Sequence, residues 1–248
     1  MSGAQAICAP LTSMFPATRH SVIERLRTPG HELRRDAFGD LVEGYWKPVY
    51  KYLRVRWRLT REEAEDVSQA FFADAFEHAW FDRFDPAKAR FRTFVRMCVD
   101  RLVMNRQQAA RRAKRGGDVQ ILQVDFAGAE HEIMAQAACP PEAEQYFDRE
   151  FVRALFDRAV RRLRSDYLSR GRERHWRLFE RYDLTLEPRS SYAELAAEFE
   201  LTPGQVTGYL AQARGAFRTH AVAELKSLCA TPEEFRREAR ELLGLEVE

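Results

Sequence analysis

The sequence predicts an all-α protein: two small helical domains joined by a flexible linker, with a further helix at the C-terminus. Three observations carry this. Gly 12 and Pro 10 in 248 residues are too few for a chain built of tight β-turns. Ala, Leu, Arg and Glu dominate, and all are good helix formers. Apolar side chains return at the three- and four-residue intervals of one helix face.

Bulk properties exclude several classes. Lys+Arg 40 against Asp+Glu 38 leaves a formal charge of +2, so any polyanion-binding surface must come from local segregation of charge. Cys8, Cys98, Cys139 and Cys229 are scattered, without the paired spacing of a zinc site or a disulfide framework. The six histidines are isolated from one another, and there is no Gly-rich phosphate loop. Neither a catalytic constellation, a metal site nor a cofactor is expected. No apolar run approaches the ~20 residues of a membrane span, and residues 1–15 lack the basic start and apolar stretch of a signal peptide. The expectation is a reduced, cytoplasmic protein away from membranes.

The elements follow in order. Residues 1–19 form a loose tail. Residues 20–117 are helical, broken at Thr28-Pro29-Gly30 and at Asp85-Pro86. Leu41, Tyr45, Val49, Tyr52 and Leu53 share one face. Thr60 starts the next helix, with Glu63 completing a capping box. That helix carries Ala64, Val67, Phe71, Phe72, Ala75 and Trp80 inward. A long helical segment from Pro86 to Arg115 places Phe91, Phe94, Val95, Cys98 and Leu102 on one face and stops at Gly116-Gly117. Residues 118–141 have no strong period and read as a linker ending at Pro140-Pro141. Helical patterning resumes through residues 142–220, and residues 221–248 form an extension ending in an amphipathic helix that Thr231 caps.

The sharpest local signal lies at Ser191 to Arg218. Ser191 and Glu194 form a capping box, Glu200-Leu201 makes a turn, and Thr202-Pro203-Gly204-Gln205 opens a second helix. Val206, Leu210, Ala213 and Phe217 face inward. Two helices joined so briefly make a helix-turn-helix, whose second helix can enter a major groove. Gln205, Thr207, Tyr209, Gln212, Arg214 and Arg218 then point outward. The alternative is a capped helix pair packed inside a bundle.

A second signal is basic. Lys88, Arg90, Arg92, Arg96, Arg101, Arg106, Arg111, Arg112, Lys114 and Arg115 are opposed in their span only by Asp100. Such density, with Phe91 and Phe94 interleaved, suits a phosphate backbone and exposed bases; a solvated basic face is the alternative. A third is acidic: Glu62, Glu63, Glu65 and Asp66 crowd a helix start, where the helix dipole favours them.

Together these segments resemble the sigma-70 family of bacterial transcription initiation factors, in particular its extracytoplasmic-function group. Glu63 to Gln69, followed by Phe71-Phe72, resembles the region that docks on the clamp of polymerase. The Phe91 to Arg115 segment looks like the region that recognises and melts the −10 element. Ser191 to Arg218 is similar to the −35-reading helix-turn-helix. Phe15-Pro16-Ala17-Thr18-Arg19, Tyr45-Trp46-Lys47-Pro48-Val49-Tyr50, Lys114 to Gly117 and the short extension match one subgroup of it.

The resemblance implies a non-enzymatic factor whose partners are bacterial core RNA polymerase and promoter DNA. Glu63, Glu65, Asp66 and Gln69 would contact the polymerase clamp. Arg92, Arg96, Asn105, Arg106, Arg111, Arg112, Lys114 and Arg115 would bind the −10 element. Gln205, Thr207, Tyr209, Gln212, Arg214 and Arg218 would meet the −35 element. A Ser/Thr protein kinase would act on Ser68, adding about −1.5 to −2 charges within the clamp patch. The chain departs from the family at Ala70, where Glu is usual, and at Thr207, Tyr209 and Gln212, where many members carry Lys or Arg. A helix-turn-helix regulator, or a sigma-like antagonist without initiation activity, is the competing reading.

Overall fold

The computed structural model describes residues 21–28, 30–110, 124–135, 143–185 and 190–247. Among these every regular element is helical and none is a strand. Among the described residues no helix is long and apolar enough to cross a membrane.

Helix α1 (Val22–Arg27) begins at a capping box between Ser21 and Glu24. Helix α2 (His31–Arg56) is the central strut and runs through Pro48. Its Ala37, Leu41, Tyr45, Val49, Tyr52 and Leu53 are all buried, the face that its periodicity marks out. Helix α3 (Arg61–Glu77) starts at the Thr60–Glu63 capping box and turns Ala64, Val67, Phe71, Phe72 and Ala75 inward. Ala79 in a left-handed conformation ends this run, so Trp80 stands in a short 3₁₀ turn, Trp80–Arg83, rather than on α3.

Helix α4 (Phe91–Ala110) starts later than Pro86. The intervening residues form a turn in which the Asp85 carboxylate accepts the Ala87 amide hydrogen at 3.0 Å. Helix α5 (Phe126–Ala135) lies within the span expected to be a flexible linker. Phe126 packs between Tyr50 and Trp46 of α2, with ring centroids 4.9 and 5.8 Å away.

Helix α6 (Ala143–Ser169) lies along α2, where Phe151 meets Tyr45 at 5.1 Å and Phe147 meets Tyr52 at 5.5 Å. Helix α7 (Glu173–Phe179) and a π turn, Glu180–Leu184, lead to α8 (Tyr192–Glu198). Helix α9 (Pro203–Ser227) runs unbroken past residue 220, and α10 (Pro232–Leu243) closes on Gly244 in a left-handed cap.

The core does not divide at residues 118–141. One apolar cluster joins Val22 and Ile23 of α1 to Ala221 and Leu225 of α9 and to Phe235 and Ala239 of α10. The fold is thus all-α as expected, but α6, α9 and α10 complete the core that α2 to α4 begin. Gly44 lets α2 approach closely: a Cβ there would lie 3.1 Å from Leu228. Two smaller clusters, one around Trp176 and Leu163 and one around Leu195 and Val206, hold the α7–α9 end.

Candidate nucleic-acid interface

The helix-turn-helix forms where its caps place it. The Ser191 hydroxyl accepts the Glu194 amide hydrogen at 3.2 Å, and Thr202 does the same for Gln205 at 3.2 Å. Glu200, at φ 53°, makes the sharp turn between α8 and α9. Leu195, Val206, Leu210 and Ala213 are buried. The opposite face of α9 is open: Gln205, Thr207, Gln212, Arg214 and Arg218 are exposed, and Tyr209 is half-buried.

These six residues differ in freedom. Gln205 accepts the Thr202 amide hydrogen at 2.8 Å, so its carboxamide oxygen serves the cap. The Thr207 hydroxyl donates to the Pro203 carbonyl at 3.0 Å. Tyr209 stacks on His175 of α7 at 3.9 Å, while burial, with Arg172 close by, lowers the His175 pKa. Arg214 donates to Asp183 at 2.9, 3.0 and 3.3 Å and lies over the Tyr182 ring. The side chains of Gln212 and Arg218 form no hydrogen bond or ion pair with another described residue.

The basic helix is different. Arg92, expected to bind DNA, is 4% exposed and paired to Glu238 of α10 at 2.7 Å and to Asp148 of α6. Its neighbour Arg90 pairs with Glu238 at 3.1 Å and with Glu241. Arg96 pairs with Glu144 of α6 at 2.9 Å. Phe91 is fully buried against Tyr45, Phe81 and Phe84, and Phe94 leans on Phe84, so Phe91 cannot stack on a base in this arrangement. Beyond this covered start, Arg101, Asn105 and Arg106 are exposed. Arg111, Arg112, Lys114 and Arg115 lie outside the described residues, as do the motif at Phe15 to Arg19 and residues 118–123 and 136–141.

Asp100, the lone acid of that stretch, is structural. It accepts hydrogen bonds from the Tyr52 hydroxyl at 3.0 Å and the Trp57 indole at 2.8 Å, tying α4 to α2. The acids that neutralise the basic helix come instead from α6 and α10. Glu234 also belongs to this set: buried, it accepts the backbone N–H of Phe91 at 2.6 Å and caps α4 from a distant part of the chain. Burial raises the Glu238 pKa against the opposing pull of Arg92, whereas a hydrogen bond from Arg90 lowers that of Glu241.

On α3, Glu63 is engaged in the cap, Glu65 pairs with Arg61 at 2.8 Å, Asp66 is exposed and Gln69 is half-buried. Ala70 faces the core, so a glutamate at this position would have to bury a carboxylate. Ser68, expected as a modification site, lies in the core. Its side chain is 1% exposed, and its hydroxyl is buried without a hydrogen-bond partner, so a kinase cannot reach it in this structure.

Two clusters are missing from the sequence-based expectations. Lys51, 1% exposed, sits between Glu132 of α5 and Glu150 of α6 at 2.5 and 2.6 Å, and Lys47 reaches Glu132 and Asp157. Glu130 of α5 is held by Arg54 at 2.5 Å and by the Tyr50 hydroxyl at 2.6 Å. The spacing of Phe126, Ala129 and Ile133, three and four residues apart, was the available signal, short as it is. The second cluster is Asp74, Glu77 and His78, whose ligand atoms lie within 4.8 Å of one another at the end of α3. Its spacing of three and four places them together by helix geometry alone.

Comparison with known proteins yields no matching family model, no similar curated protein and no similar solved structure. The functional reading therefore rests on the residues and their arrangement.

Proposed function

We propose that this chain is a sigma-type transcription initiation factor, which recruits bacterial core RNA polymerase to promoter DNA. The observation that carries the reading is the helix-turn-helix of α8 and α9: its apolar face is buried and its outer face is left open, with Gln212 and Arg218 uncommitted. Glutamine can pair bidentately with adenine in a major groove, and arginine suits guanine or phosphate. The exposed acids at the start of α3 offer a complementary face for a basic element of polymerase. The outer half of α4, with Arg101, Asn105 and Arg106, would face the opened strand. Bond-making would belong to polymerase.

A second reading, a helix-turn-helix regulator that does not initiate, draws on the burial of Arg92: the promoter-reading end is open while the start of the basic helix is covered. Transcription in vitro separates the two. With purified core polymerase, the chain is expected to give promoter-specific transcripts that Asp66→Ala with Gln69→Ala abolishes. Duplex binding without any association with core would leave the regulator.

A further inference from the structure

Helix α10 buries an unusual face. Phe235 and Ala239 are apolar anchors, but Glu234 and Glu238 beside them are only 3% and 2% exposed. Burying carboxylates is costly, and a helix docked for stability alone gains more from leucine at such positions. The basic side chains Arg236, Arg237 and Arg240 are exposed on the outer face. Glu234, Glu238 and Glu241 recur at intervals of four and three residues, about 6 and 4.5 Å along the helix axis. They form a row of negative charge laid over the start of α4. Each addresses a hydrogen-bond donor or cation: Glu234 takes the Phe91 amide hydrogen at the N-terminus of α4, Glu238 takes Arg90 and Arg92, and Glu241 takes Arg90. A helix N-terminus flanked by arginines is a setting for phosphate.

We propose that α10 is an intramolecular competitor for nucleic acid: its acidic row occupies the phosphate-binding start of α4, and the free chain is closed there until α10 is displaced. This rests on the nucleic-acid reading of α4 given above. Competition of this kind is reciprocal, so nucleic acid must loosen α10 to the same extent that α10 weakens nucleic-acid binding. Cys229, 5% exposed at the junction between α9 and α10, reports that loosening.

The experiment uses the full chain and a fluorescent single-stranded DNA of mixed sequence, titrated at several salt concentrations. Ala239→Glu forces a charge into a fully buried site and undocks α10 while adding a negative charge, which by itself disfavours DNA. Phe235→Asp undocks it from a second position, and Arg237→Glu places the same kind of charge on the outer face as a control. Both undocked variants are expected to bind about tenfold more tightly than the unmodified chain, with a salt slope steeper by ~0.7 for each additional phosphate neutralised. The control is expected to bind no more tightly. With Cys8, Cys98 and Cys139 replaced by serine, saturating DNA is expected to accelerate labelling of Cys229 by a thiol reagent. Undocked variants that bind with unchanged affinity and slope would overturn the competition while leaving the nucleic-acid reading intact. So would Cys229 labelling that DNA does not alter, a result that needs no destabilised variant. Absence of binding by every form at low salt would remove both.

Discussion

The outer face of α9 and the start of α4 are both arginine-bearing helix surfaces that we propose meet nucleic acid, yet the fold treats them oppositely. Arg218 stands exposed, whereas Arg92 is enclosed by acids from two other helices. The difference lies in what packs alongside. α9 needs one face for Leu195 and Val206 and leaves the other to solvent. α4 starts beneath α10, whose buried side carries carboxylates as well as apolar groups. A run of basic residues therefore does not by itself define an available surface. What matters is whether the fold supplies the counter-charge.

Stability measurements can break that comparison most sharply. Arg92→Ala leaves the buried carboxylate of Glu238 with Arg90 as its remaining partner and removes the partner of Asp148, a loss of about 3 kcal/mol. Arg218→Ala removes an exposed side chain and is expected to change stability by less than about 0.5 kcal/mol. Urea unfolding of the two variants checks this. Similar values would mean that the enclosure around Arg92 contributes little.

The attachment of α5 extends the contrast to a third surface. A hydrogen bond from Arg54 holds the Glu130 pKa below the usual carboxylate value, helped by the Tyr50 hydroxyl. A depressed folded pKa gives stability that is present above the unfolded pKa and lost as pH falls through the folded value. Docking of α5 is thus expected to weaken in acid, seen as faster amide exchange across 126–135. At neutral pH, Glu130→Gln is expected to cost about 1.5–3 kcal/mol, the scale of hydrogen bonds to charged groups, and to flatten the acid dependence.

A smaller effect belongs to the helix-turn-helix itself. Thr202→Ala removes the N-cap of α9 and is expected to cost about 1 kcal/mol, with the frayed first turn also weakening duplex binding. Loss of stability without loss of binding would remove the N-terminal turn of α9 from the proposed interface.

The parts legible in the sequence are those decided locally. Capping at Thr60, Ser191, Thr202 and Thr231 depends on side chains bonding to backbone three residues away, and all four caps form. The inward faces of α2, α3 and α9 follow from helical spacing. The parts that were not legible depend on distant partners. Residues 118–141 look like a linker because Phe126, Glu130 and Glu132 make sense only against Trp46, Tyr50, Lys51 and Arg54 of α2. Arg92 looks free because Glu238 lies 146 residues further along. Ser68 looks available because it lies in the polar run from Glu63 to Gln69, close to Ala70, although α3 turns Ser68 into the core.

The central claim is that the exposed face of α9 meets DNA while the start of α4 is occupied. Its most direct test is a pair of affinities for random-sequence duplex at one fixed salt concentration, with Arg218→Ala and Arg90→Ala each made in the otherwise unmodified chain. The account predicts that Arg218→Ala weakens binding severalfold, whereas Arg90→Ala leaves it unchanged or tightens it by loosening α10. Equal losses in the two variants, or a loss confined to Arg90→Ala, would contradict it.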